Sequence, residues 1–135
     1  MSEYISIMEA FEQHAEAAKE YVENNFPVKK GTGTSSTIQG SGCTASGGYS
    51  HAEGYNTKAS GYYGSHAEGN ATKASGYSSH AEGGNYSNSS SGVDSGAPEA
   101  FGTCSHAEGA GTVAMGTMSH AEGYGSLKYN DDERI

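Results

Sequence analysis

Ser50–Gly61 reads SHAEGYNTKASG, Ser65–Gly76 reads SHAEGNATKASG, and Ser105–Gly116 reads SHAEGAGTVAMG. The pentapeptide SHAEG recurs five times, beginning at Ser50, Ser65, Ser79, Ser105 and Ser119. The steps between copies are 15, 14, 26 and 14 residues. One unit therefore underlies this region: S-H-A-E-G-x-x-T-x-A-x-G-x-x, with 14 positions. A degenerate copy starts at Ser36, where Ser-Thr-Ile-Gln-Gly takes the pentapeptide position and Ala45 and Gly47 keep the later Ala and Gly. Self-similarity at a fixed period is the signature of a stacked repeat architecture.

Side chains alternate faces along a strand. In the first half of the unit Ser, Ala and Gly share one face, and His and Glu share the other. In T-x-A-x-G the small residues again share a face, and Lys58, Ser60, Val113 and Met115 take the opposite one. Each unit thus offers two short strands, separated by Gly-x-x segments able to turn tightly. Stacking the units at about 4.8 Å places every strand beside its own copy. The expected fold is mainly β: a parallel β-roll, or β-solenoid, of about six 14-residue coils. The 15-residue step carries one added residue near Gly64. The 26-residue step reads as one coil with a loop inserted over Gly84–Glu99, after which Ala100-Phe101-Gly102 resumes the pattern.

Composition agrees. Leu, Ile, Val and Phe number only 12 of the 135 residues, well under the roughly 20% below which a charged chain reads as disordered unless it repeats. Such a sequence cannot build an ordinary aliphatic layered core, and a thin Ser/Ala/Gly/Thr interior predicts support from other chains. A net charge of −9, from 16 acidic and 7 basic residues, argues against a nucleic-acid partner, which demands clustered Lys and Arg. No stretch approaches the ~18 apolar residues of a membrane span, so membrane insertion is not expected.

Residues 3–25 contain no Gly or Pro. Tyr4, Met8, Phe11, Ala15, Ala18 and Val22 recur at heptad steps, with Glu9, Glu12, Glu16, Glu20 and Glu23 opposite. This predicts an N-terminal α-helix whose seam forms a short coiled coil that sets oligomeric state. Two other uses of the helix are open: lying along the end of the roll, or docking on a larger assembly. The expected organisation is 1–26 helix, 27–35 linker, 36–126 β-roll with the inserted loop 84–99, and 127–135 acidic C-terminal tail.

The coil pattern resembles the β-roll head of trimeric autotransporter adhesins, whose repeat of similar length has Val and Ile where His and Glu stand here. The His-Ala-Glu-Gly version is similar to repeats in phage and prophage fibre or spike proteins. The resemblance spans about Ser36–Gly123 and implies a left-handed roll and a homotrimer. Adhesins of that family carry a secretion signal and a C-terminal membrane barrel, which this sequence does not show. The expectation is therefore a structural fibre, spike or decoration component of a phage or phage-like particle, made in the host cytoplasm and located in the virion. Its expected partners are itself, particle proteins engaged through the helix, and a host-surface glycan or protein. The alternative is an adhesin head module on a bacterial surface.

Five histidines, His51, His66, His80, His106 and His120, pair with Glu53, Glu68, Glu82, Glu108 and Glu122 at His-x-Glu spacing. This spacing is compatible with a metal, but the favoured reading is a structural ladder, with His stacked on His and Glu on Glu. Neighbouring carboxylates are expected to raise the histidine pKa values, so that melting temperature falls as pH rises. A trimeric β-helix transferase is the remaining alternative, yet the hexapeptide repeat of such enzymes is absent and a catalytic His is normally unique. No enzyme activity and no cofactor are expected. Loops on rigid scaffolds often carry recognition, so Asn85, Tyr86, Asp94 and Glu99 are the expected partner contacts. Tyr49, Tyr55, Tyr62, Tyr63, Tyr77 and Tyr124 fall near coil corners. Cys43 and Cys104, about three coils apart, lie beyond disulfide reach. Cys43 takes the Thr position and is expected to be buried.

Overall fold

A computed structural model describes the backbone of residues 2–25, 27–88, 93–94, 96–125 and 127–128. The chain is a parallel β-solenoid of about six turns preceded by one helix, α1 (Ser2–Asn25). Among the described residues fifteen short strands follow: β1 (Val28–Lys30), β2 (Thr37–Ser41), β3 (Thr44–Ala45), β4 (His51–Tyr55), β5 (Lys58–Ala59), β6 (His66–Asn70), β7 (Lys73–Ala74), β8 (His80–Gly83), β9 (Ser87–Asn88), β10 (Val93–Asp94), β11 (Glu99–Ala100), β12 (His106–Gly109), β13 (Val113–Ala114), β14 (His120–Ala121) and β15 (Leu127–Lys128).

The pentapeptide strands stack as β2-β4-β6-β8-β12-β14, and the T-x-A strands as β3-β5-β7-β11-β13-β15. All of these pairs are parallel and in register, so His66 lies between His51 and His80, and Ala67 between Ala52 and Ala81. The interior between the sheets is a column of alanines, with Ala52, Ala59, Ala67, Ala74, Ala81, Ala100, Ala107, Ala114 and Ala121 fully buried. Ser50, Ser65, Ser79, Ser105, Thr57, Thr72 and Thr112 are buried beside it. Buried hydroxyls need acceptors. The serines find theirs in the corner that precedes them: Ser50 Oγ donates to the Gly47 carbonyl, and Ser79 and Ser105 to those of Gly76 and Gly102, each at 2.7 Å.

Close approach of neighbouring coils explains two glycine columns. A Cβ on Gly61 would meet the Gly76 carbonyl oxygen at 1.9 Å, and one on Gly54 would meet that of Gly69 at 2.1 Å. Gly54 also has φ +105°, and its equivalents in the other coils are likewise left-handed. Left-handed corners recur at two further places, one before the Thr position (Gly42, Asn56, Ala71, Gly111) and one before the Ser (Tyr49, Ser78, Cys104, Met118).

Three expected boundaries shift. The stretch 27–35 is not merely a linker: β1 pairs antiparallel with β2, Val28 opposite Gln39. This covers the backbone edge that the first coil would otherwise leave open. The inserted loop ends before Glu99. Pro98 is buried at the Thr position and its carbonyl accepts from Lys73 N, while Glu99 is paired in β11. The extra residues, 12 in number, therefore lie within 84–97, where β9 and β10 form a small antiparallel hairpin. The tail begins later than 127, because Leu127 and Lys128 pair in parallel with Val113 and Ala114 and prolong the second sheet. Cys43 is half-buried rather than buried, because its end coil has a neighbouring coil on one side only. Both cysteines are free thiols.

On the helix every side chain from 6 to 21 is exposed, Phe11 at 68% and Met8 at 46%. The described seam residues Met8, Phe11, Ala15 and Ala18 are therefore not packed against the roll. The side chains of Tyr4 and Val22 lie outside the described residues. Among the described residues, no helix is long and apolar enough to cross a membrane.

Candidate functional site

The outward side of the pentapeptide sheet carries the chain's densest chemistry. Alanine points inward, so the His before it and the Glu after it must both point out. Parallel in-register pairing then turns the repeats into two columns, imidazoles beside carboxylates. Centroids of His66 and His80 are 4.8 Å apart with rings 3° from parallel; His80–His106 (4.7 Å, 5°) and His106–His120 (4.8 Å, 2°) match them. His51 departs from the stack, tilted 54° to His66. The first coil has Thr37 in place of a histidine, and its Oγ1 is hydrogen-bonded to His51 Nδ1 at 2.7 Å.

Several imidazoles bond the glutamate of the preceding coil. His80 Nε2 lies 3.3 Å from Glu68 Oε1, and His106 Nε2 lies 3.1 Å from Glu82 Oε1. Glu53 is bidentate, with Oε2 3.5 Å from His51 Nε2 and Oε1 3.5 Å from His66 Nε2. His120 Nε2 lies 3.6 Å from Glu108 Oε1 and 3.9 Å from Glu122 Oε2. His66 Nε2 is buried at the atom level and has no hydrogen-bond partner, Glu53 standing just beyond bonding range. The inner members of the ladders keep about a third of their side-chain surface exposed.

The electrostatics alternate along the carboxyl column. A hydrogen bond from the Glu68 carboxyl holds Glu53 below the usual carboxylate range, helped by His51 and His66. Burial pushes Glu68 up, assisted by its hydrogen bonds to Glu53 and Glu82. Glu82 is held down chiefly by Glu108. Glu68 therefore keeps its proton more readily than Glu53 or Glu82. The histidine expectation is reversed at His66. Burial lowers its pKa, and the charges of His80 and His51 lower it further, outweighing the attraction of Glu53.

The five expected His/Glu pairs are brought together on one face. The expected loop contacts are not. Asn85 and Tyr86 are exposed, and Tyr86 packs edge-on to Tyr124 at 5.9 Å. The Asp94 side chain lies outside the described residues. Glu99 sits in the second sheet, where its carboxylate pairs with Lys73 of the preceding coil, so it is a coil-to-coil tie rather than a loop contact. The tyrosines form a separate exposed cluster, with Tyr77 edge-to-face against Tyr62 at 6.0 Å and Tyr63 at 5.7 Å. Cross-coil His–Glu pairing escaped the sequence reading, which paired residues within one pentapeptide. The signal was present in the register: a Glu two residues beyond one His faces the His of the next coil. Comparison with family models, curated proteins and solved structures finds no match to this chain.

Proposed function

We propose that this protein is a structural, homotrimeric fibre, spike or decoration component of a phage or phage-like particle. The helix registers three chains and attaches them to the particle, and the solenoid forms a short stiff rod directed outward. The observation that carries this reading is the combination of a regular stack of coils with a helix whose described seam residues, Met8, Phe11, Ala15 and Ala18, are exposed. Six coils at the strand spacing make a rod on the order of 30 Å. Rows of identical outward residues suit lateral packing of identical chains better than a unique reaction centre. The reading places the protein in the virion. A second reading, an adhesin head on a cell surface, is favoured by the exposed edge-to-face tyrosines, since aromatic clusters bind glycans and proteins.

Light scattering after size exclusion tests the assembly. The reading expects three times the chain mass of 13.9 kDa. Replacing Met8 and Phe11 by Asp is expected to lower that mass to one chain, because charge in a heptad seam opposes helix association. A single-chain mass for the unaltered protein, or an unaltered mass in the variant, would contradict the role given to the helix.

A further inference from the structure

The geometry points to the His/Glu face as a linear binding array for divalent transition-metal ions, each ion clipping one coil to the next. Four sets meet the need: His51-Glu53-His66, His66-Glu68-His80, His80-Glu82-His106 and His106-Glu108-His120. In each, one carboxylate oxygen and two imidazole nitrogens lie within 4.8 Å of one another. Two imidazoles, a carboxylate and an open position for water form a ligand set typical of zinc and its neighbours.

The shortest imidazole–carboxylate separations, 3.1 Å at Glu82–His106 and 3.3 Å at Glu68–His80, approach the roughly 3.3 Å edge between adjacent ligands on an ion with ~2.1 Å bonds. The wider gap is between stacked imidazoles. The ligand nitrogens lie within 4.8 Å of one another, and ring tilts that bring them to roughly 3.4 Å would seat both on one tetrahedral ion. The first set is part-way there, since its rings are already tilted and both face the two oxygens of Glu53. It also holds His66 Nε2, a buried atom that makes no hydrogen bond and meets Glu53 Oε1 only at the 3.5 Å of an ion pair. Such a group is costly unless something binds it, and a cation is a fitting occupant beside a carboxylate. The side chains keep roughly a third of their surface exposed, so ions can approach this face, and a ring rotation would have to uncover the buried Nε2 of His66.

The array has a counting rule. Neighbouring sets share a histidine, so five histidines form at most two separate pairs at once. Every set contains either His66 or His106. Calorimetric titration of untagged, chelator-stripped protein with Zn²⁺ is expected to show two ions per chain and a raised melting temperature. His66→Gln is expected to leave one ion. His66→Gln with His106→Gln is expected to leave none, and His14→Gln, on the exposed helix, is expected to leave two. Absence of uptake by the native chain, or two ions retained by the double variant, would overturn the proposal. Should the double variant fail to fold, histidine ring resonances of the native chain decide. Zn²⁺ must shift the five ladder histidines before His14, and uniform or His14-first shifts overturn it.

Discussion

At the scale of single residues, the fold rests on what is missing from side chains. Gly61 and Gly48 share a coil-corner region but differ in surroundings. A Cβ on Gly61 would lie 1.9 Å from the backbone oxygen of the next coil, whereas on Gly48 it would meet only the Tyr62 ring at 3.4 Å. Gly61→Ala must therefore push two coils apart, and a loss of about 4 kcal/mol or more is expected, the range reserved for severe core disruption. Gly48→Ala should change stability by less than about 1 kcal/mol. Chemical denaturation of the two variants checks the contrast, and equal losses would mean that the coils are not in van der Waals contact at Gly61. The inward alanines and serines were legible from alternation alone. The second function of the glycines, making room for the next coil's carbonyl, was not, because one unit by itself does not show how closely its neighbour stacks.

At the scale of the elements, the pentapeptide sheet and its partner obey the period closely, and the departures have physical causes. Val28–Lys30 read as linker because three residues with two lysines carry no alternation. They are a strand because an open sheet edge attracts pairing. Leu127 and Lys128 read as tail because no Ala-x-Gly follows them, yet their backbone still continues the ladder. Pro98 was counted as loop because it is not Thr, although it fills the same buried position. The His/Glu face was visible as a set, but its titration was not, since composition does not reveal that neighbouring imidazoles repel one another's charge. That reversal changes the expected pH response. His66 has a lowered pKa when folded and an ordinary value near 6.5 when unfolded. The unfolded chain therefore binds the proton more readily, so the contribution of His66 is present above pH 6.5 and is lost as pH falls through the folded value. Glu53 and Glu82, also lowered, act in the same direction below their usual range, and Glu68, raised, acts oppositely. In chelator, the melting temperature of the native chain relative to His66→Gln is expected to decline from pH 7.5 to 5.5. A relative rise over that interval would contradict the assignment of burial and imidazole repulsion as the dominant causes.

At the scale of the whole molecule, the chain is a one-dimensional stack in which each coil touches chiefly its neighbours. Stability in such an architecture is a sum over units and the interfaces between them. The inserted hairpin shows the same modularity, since it leaves one coil between Gly83 and Pro98 without disturbing the ladders on either side. The proposed rod and the proposed metal array both depend on this one property, that identical coils stack in register and can be counted. The most direct test is thermal unfolding, followed by circular dichroism, of a chain in which residues 65–78 are duplicated in tandem. The added unit brings one more His, Glu, buried Ser, buried Thr and two interior Ala, each opposite its own kind. The account predicts a β spectrum with proportionately greater strand signal and a melting temperature equal to or above that of the native chain. A coil-like spectrum, or a clearly lower melting temperature, would mean that the units do not stack as interchangeable coils.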